Sequence, residues 1–302
     1  MVDAETLRIL ACPLCGGRLL NSDHGLSCPA DRGNFPLHPS GLLDLRPPDG
    51  RAAADAFATQ YRAGRLADGW QPLSSEAACA LPDEDPPGFT RLYWTVRRES
   101  WAVLAPLLEE LGATPLMIAD LGAGFPWLSH RLASLGHTIL AVDLSPDIDF
   151  GLGAARLFPT AGMWDDPAGA PWQPGGFLPV LGDLEQPPLA AAAYDAVICN
   201  ASLHYARDLR VAVARMAQAL RPAGALVIVD SPIVSVSHPG RDGGRVLDRA
   251  AAEDVLGQAG LTAAWHPVPR GWLWRRHQVK NWLLRRSQFE FPIIVGRRAS
   301  AL

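Results

Sequence analysis

The chain has 302 residues, 48% of them hydrophobic, and a formal net charge of -4; that length can bury one sizeable core and a small accessory unit. No uninterrupted run of about 18 apolar residues occurs and the N-terminus lacks the basic start and apolar stretch of a secretory signal, which argues against a membrane span and for a cytoplasmic protein. The mildly acidic balance gives no global attraction to nucleic acid, and five cysteines, an odd number, point to reduced thiols instead of a disulfide framework.

Residues 1–46 are punctuated by Cys, Pro and Gly, with a helical turn over residues 5–10, and read as a loop-rich module. Cys12-Pro13-Leu14-Cys15 sets two thiolates at a spacing that can chelate one tetrahedral ion, and Cys28-Pro29-Ala30-Asp31 stands as a second half lacking its last cysteine. Cys12, Cys15 and Cys28 are therefore candidate zinc ligands. The fourth ligand is Asp31, His24 or His38, or it is lost and the module is metal-free. Residues 47–89 form a linker with an Ala-rich helix over 52–66 and a Pro- and acid-rich loop over 81–87.

A helix over 90–111 opens the main domain, residues 90–302. From Leu116 onward the apolar runs LMIAD, TILAV, YDAVICN, ALVIVD and TAAWH alternate with helical patterns near 126–135, 207–220 and 248–258. Short strands separated by helices predict βαβ units, hence an α/β fold with a doubly wound, mostly parallel sheet. A last strand over 289–296 is expected antiparallel at an edge, and the Pro- and Gly-rich insert over 158–176 is a loop able to cover a site.

The first of these strands runs into Asp120-Leu121-Gly122-Ala123-Gly124-Phe125-Pro126-Trp127, just before a helix. Glycines there permit a tight turn and close backbone approach, and a helix N-terminus attracts negative groups. Asp143 closes the next strand about 20 residues past the glycines, where an acid accepts from ribose hydroxyls. Strand, glycine turn, helix, strand and acid, in that order, predict binding of a nucleotide-type cofactor.

The run IADLGAGFPWLSHRLASLGHTILAVDLS, with the later blocks LGDLE, YDAVICN and LRPAGAL, resembles the class I S-adenosylmethionine-dependent methyltransferases, in particular the type 11 methyltransferase domain, over residues 90–298. The resemblance implies a Rossmann-like fold, S-adenosylmethionine as cofactor and methyl transfer as activity. It also implies that Asp120, Gly122, Ala123 and Gly124 lie along the methionine and ribose portion, that Asp143 with Leu144 binds the ribose, that Asp183 and Leu184 flank the adenine, and that Asn200 and Ala201 border the sulfonium. Phe125-Pro126-Trp127 departs from the pattern, since relatives carry another glycine there. A dehydrogenase binding NAD is the rival for such a turn, but the third glycine of GxGxxG falls on Trp127 and no hydride-transfer set is visible. A cofactor-binding scaffold without activity is the remaining alternative. The cysteine segment resembles the N-terminal zinc ribbon of ribosomal-RNA guanine methyltransferases and the small zinc-binding activator subunit of tRNA and protein methyltransferases.

Methyl transfer asks a protein chiefly to align an acceptor, with a base only where the acceptor must lose a proton. His204 and Tyr205, leaving the strand that ends at Asn200, are the candidates for contacting it, unless His204 packs beneath the loop; Asp230 is a second rim candidate. Between Arg270 and Arg298 eight basic residues stand against the single acid Glu290, interleaved with Trp272, Trp274 and Trp282. That stretch suits phosphates and stacked bases, or else the tryptophans pack under the sheet and the charges are solvated. The acceptor is thus a small molecule or RNA, and the oligomeric state is open.

Overall fold

The computed structural model describes residues 2–86, 88, 91–112, 115–164, 175–236 and 247–298. The chain opens with α1 (Ala4–Ile9), whose first amides are capped by the Asp3 carboxylate. Three short strands, β1 (Leu20–Ser22), β2 (Gly25–Ser27) and β3 (Asn34–Pro36), pair antiparallel in that order. A two-residue strand, β4 (Leu43–Asp44), leaves this module and joins the main sheet. Helices α2 (Arg51–Ala67), α3 (Ser75–Cys79) and α4 (Arg91–Glu109) follow, and then β5 (Met117–Leu121), α5 (Trp127–Ser134), β6 (Thr138–Asp143), β7 (Phe177–Leu181), β8 (Tyr194–Asn200), α6 (Leu209–Ala219), β9 (Leu220–Val229), β10 (Ile233–Val236), α7 (Arg249–Gln258), β11 (Leu261–His266), α8 (Trp272–Leu283), β12 (Gln288–Glu290) and β13 (Ile293–Arg298), an alternation expected from the apolar runs except for β7, β10, α8 and β12.

The eight-stranded sheet has the order β11-β13-β9-β8-β5-β6-β7-β4. Strands β4 to β9 in it run parallel, and β13 pairs antiparallel with both β9 and β11. The fold is α/β and Rossmann-like, with a mostly parallel central sheet and the small cysteine-bearing module at its N-terminus. The last strand is antiparallel as expected but does not lie at an edge: β13 inserts between β9 and β11, where the buried Ile293, Ile294 and Val295 are covered on both sides. Residues 165–174 of the 158–176 insert lie outside the described residues. No helix among those described is long and apolar enough to cross a membrane.

Two apolar layers sandwich the sheet, and one of them takes in the N-terminal module. Leu10, Leu19, Leu26 and Phe35 share a core with Leu140, Val142 and Val180 of the sheet. The Tyr194 hydroxyl donates to the Ile9 carbonyl at 2.8 Å, and Ala11 N–H donates to the Pro188 carbonyl at 3.1 Å. The module is thus stitched to the sheet along backbone as well as side chains.

Candidate active site and cysteine cluster

Consecutive strands move outward from β5 through β6 and β7, and the chain then crosses to β8 on the other flank. Open α/β sheets place ligands at such a switch, outside the carboxyl ends of the strands. A cavity of about 1040 Å³ lies there, lined by Gly122, Ala123 and Gly124 after β5, Asp143 and Leu144 at β6, Asp183 and Leu184 after β7, and Asn200, Ala201, His204 and Tyr205 after β8. Every residue picked from the sequence for the cofactor and the acceptor lines it except Asp120, which lies beneath its floor.

The glycine turn is built by contacts on both sides. Gly122 (φ +69°) and Gly124 (φ +51°) both adopt the left-handed region that a side chain resists. A Cβ on Gly122 would come within 2.3 Å of Ser202 Cβ, so this glycine lets the loop after β8 close onto the end of β5. Ser202 Oγ completes that closure by donating to the Leu121 carbonyl at 2.7 Å. Around Gly124 a Cβ would meet nothing within 4 Å, which leaves that wall of the turn open.

Asp143 accepts from Gly124 N–H at 2.9 Å and from Ser145 N–H at 2.8 Å, one donor on each carboxylate oxygen. The turn and the strand-end acid therefore meet directly, and each oxygen keeps a lone pair for a hydroxyl. Asp120 is sealed under the turn, where one oxygen accepts from Ser129 Oγ at 2.7 Å and the other has no partner. Burial, opposed by the Ser129 bond and aided by Asp143, pushes its carboxyl up to about 7.

On the opposite rim, His204 Nδ1, Asn200 Oδ1 and Asp230 Oδ2 are buried polar atoms lacking a hydrogen-bond partner. Burial holds the His204 imidazole below its ordinary value, so it is neutral at pH 7 and able to accept a proton. Tyr205 stacks beside it, ring centroids 4.3 Å apart. Ala201 and Asp230, ending β8 and β9, have φ of +52° and +50°, strain of the kind that gathers at functional sites. Asp230 also accepts from Ser100 Oγ and sits 3.6 Å from Arg270 Nη2.

Two features of the site were not anticipated from the sequence. The stretch treated as a linker supplies a whole wall, Phe57, Tyr61, Arg65 and Trp70; the spacing of Phe57, Tyr61 and Arg65, four residues apart, was the available signal. Arg46, 1% exposed, ties three parts together: it is bidentate to Asp44, donates to Asp55 at 2.6 Å, and donates to the Leu144 carbonyl beside Asp143 at 3.1 Å.

The basic C-terminal stretch divides. Arg270 is internal, bonded to the Val96 and Phe291 carbonyls at 2.7 and 2.8 Å, and is no part of a solvated basic face. Trp274 packs edge-on against Phe291 and both line the cavity, whereas Trp272 and Trp282 stand 69% and 65% exposed on α8 instead of packing under the sheet.

In the N-terminal module Cys12, Cys15, Cys28 and Asp31 bring one ligand atom each to within 4.8 Å of one another. Cys12 Sγ is 2.9 Å from Asp31 Oδ2 and Cys15 Sγ 3.6 Å from Cys28 Sγ, separations that a tetrahedral ion with metal–sulfur bonds of about 2.3 Å can bridge. Hydrogen bonds from Cys12 and Cys15 hold Asp31 well below the usual carboxylate range. His38 is occupied with Ser40 at 2.8 Å, and neither it nor His24 belongs to the cluster.

Residues 119–228 match the family model described as a methyltransferase domain. Its span begins in β5 and ends in β9, so it takes in the glycine turn, Asp143, Asn200 and His204, and excludes the cysteine module, α2 and α8. Solved structures similar to the chain include the Burkholderia thailandensis 1,6-didemethyltoxoflavin N1-methyltransferase with its substrate and S-adenosylhomocysteine (18% identity, 93% of this chain and 98% of that one, TM-score 0.49). Another is the Synechocystis PCC 6803 magnesium protoporphyrin IX methyltransferase with S-adenosylhomocysteine (16% identity, 72% and 91%, TM-score 0.48). No curated protein sequence matches the chain.

Proposed function

We propose that the chain transfers a methyl group from S-adenosylmethionine to a small-molecule acceptor enclosed in the cavity. The observation carrying this reading is the junction of Gly124 N–H with the Asp143 carboxylate at the mouth of the β5–β8 crevice, with lone pairs left for a ribose. S-adenosylmethionine supplies a methyl carbon already activated by its sulfonium. The chain's own residues then bind and align: Asp143 takes the ribose hydroxyls, Asp183 and Leu184 flank the base, and the unpartnered Asn200 Oδ1 faces the cationic end. His204, neutral and with a free Nδ1, takes a proton from an acceptor that must lose one. Calorimetric titration with S-adenosylmethionine tests the cofactor part of the reading, since an NAD enzyme would bind NAD instead, and measured loss of the methyl group from bound S-adenosylmethionine separates an enzyme from an inactive cofactor-binding scaffold. Asp143→Ala should weaken binding by about tenfold or more, the worth of a charge-assisted hydrogen bond.

An RNA acceptor is a second reading, favoured by Trp272 and Trp282 standing exposed among Arg275, Arg276 and Lys280. Binding of a short RNA should then weaken steeply as salt rises. For the cysteine cluster we infer a structural zinc held by Cys12, Cys15, Cys28 and Asp31, whose donor set and spacing suit that ion.

A further inference from the structure

The segment before residues 119–228 supplies Phe57, Tyr61, Arg65, Trp70, Tyr93 and Arg97 to the cavity wall, a set whose chemistry differs from that of the glycine turn and Asp143. This inference rests on the methyl-transfer reading and names the class of acceptor. Arg65 on α2 places its guanidinium carbon 4.1 Å from the Trp70 ring centroid, 4.6 Å from Tyr61 and 5.7 Å from Tyr93. Its Nη2 donates to the Tyr61 hydroxyl and, at 3.4 Å, to that of Tyr93. A second guanidinium, Arg97 on α4, lies 3.7 Å from the Tyr93 centroid and donates to the same hydroxyl at 2.7 Å. Two cations therefore converge on one phenol.

The other two arginines lining the cavity are paired with carboxylates, Arg46 with Asp44 and Asp55, and Arg207 with Asp183 and Glu185. Among the described residues neither Arg65 nor Arg97 has a carboxylate within 4.0 Å, although both line the same cavity. Aromatic faces compensate a desolvated guanidinium only in part, and Arg65 bonds through one of its nitrogens to neutral phenols while its other N–H groups remain for an acceptor. Arg65 thus stands framed by flat rings with no carboxylate partner, while Arg97 lies within electrostatic reach of Asp230, and the Tyr205 ring, 6.1 Å from that of Phe57, lines the same cavity.

We propose that this wall of the cavity is the acceptor subsite and takes a flat aromatic molecule bearing an anionic oxygen group, a carboxylate or ionised hydroxyl, which pairs with Arg65 while the ring lies among Phe57, Trp70 and Tyr205. The methyl donor's own carboxylate is the other anion these guanidinium groups could meet, so the test must separate the two sources. The full chain, saturated with S-adenosylhomocysteine, is titrated with salicylate, with salicylamide, which keeps the ring and loses the charge, and with cyclohexanecarboxylate, which keeps the charge and loses the flat ring. Salicylate is expected to bind about tenfold or more tighter than either. Arg65→Gln should lower salicylate affinity by about tenfold and leave S-adenosylhomocysteine affinity within about twofold. Arg65→Lys, retaining charge without the planar fork, should fall between and keeps the test open if the glutamine variant does not fold. Equal binding of the three probes, no salicylate binding at millimolar concentration, or a loss of S-adenosylhomocysteine affinity in Arg65→Gln matching that of salicylate would overturn the proposal. Selective salicylate binding by a chain that takes no S-adenosylhomocysteine would uphold the subsite and defeat the methyl-donor reading.

Discussion

At Gly122 a methyl group would collide with Ser202 Cβ, and the left-handed backbone adds its own penalty. Gly122→Ala is therefore expected to cost about 2 kcal/mol or more of stability and to reopen the gap between β5 and β8, seen as lower S-adenosylmethionine affinity by calorimetry. Asp120 gives a sharper test through its titration. Its folded value, about 7, lies above the ordinary 3.8, so the native state holds a proton that the unfolded chain has released, and stability falls as pH rises between the two. Asp120→Asn, which cannot ionise, should lose that dependence and be more stable than the parent at pH 8 by an amount on the order of 4 kcal/mol, shrinking toward pH 4, as urea midpoints across the pH range would report. His204 carries the opposite displacement: burial lowers its pKa, so its neutral form persists below 6.5 and turnover should fall only on acidification past that point. Replacing it with Gln should reduce the rate by about 100-fold if the acceptor gives up a proton, and little if it does not.

Helices and strands were legible where local chemistry decides them. The alternation of apolar runs with helical patterns located β5, β6, β8 and β9 and helices α5 and α6 but missed β7, whose Phe177–Leu181 follows the Pro- and Gly-rich insert, and the glycine turn with Asp143 followed from the order of elements alone. What escaped was whatever depends on distant partners. Nothing in the Ala-rich run of α2 says that it roofs a cavity, because its wall residues acquire meaning only against Tyr93 and Trp70. Helix α8 was hidden by its basic and aromatic residues, whose even spread around the axis leaves no apolar stripe to read. The edge position expected of the last strand failed because β11, which precedes it in the chain, takes the edge. Arg46 binds α2, β4 and the Leu144 loop into one unit, and Arg46→Met would leave Asp44, 4% exposed, with only the more distant Arg51 as a cationic partner beside the backbone N–H of residue 46. A loss of about 3 kcal/mol in denaturant unfolding is expected.

For the molecule as a whole, the cysteine module and the sheet share one apolar layer, so a metal bound in the first should report on the stability of both. Protein purified without chelator should carry close to one zinc per chain, and Cys15→Ser or a strong chelator should lower a single melting transition instead of creating a separate early one. A zinc content below about a tenth of an equivalent would mark the cluster as thiols held by packing alone. The pairing of Leu43 and Asp44 with Val180 and Leu181 has a practical corollary for anyone trimming the chain of its cysteine module. Cutting after residue 46 would strip the selvedge from β7, leaving its outward amides and carbonyls unclaimed beside the buried Val180 and Leu181, and such fragments should clump edge to edge on expression even though every motif they need is still present.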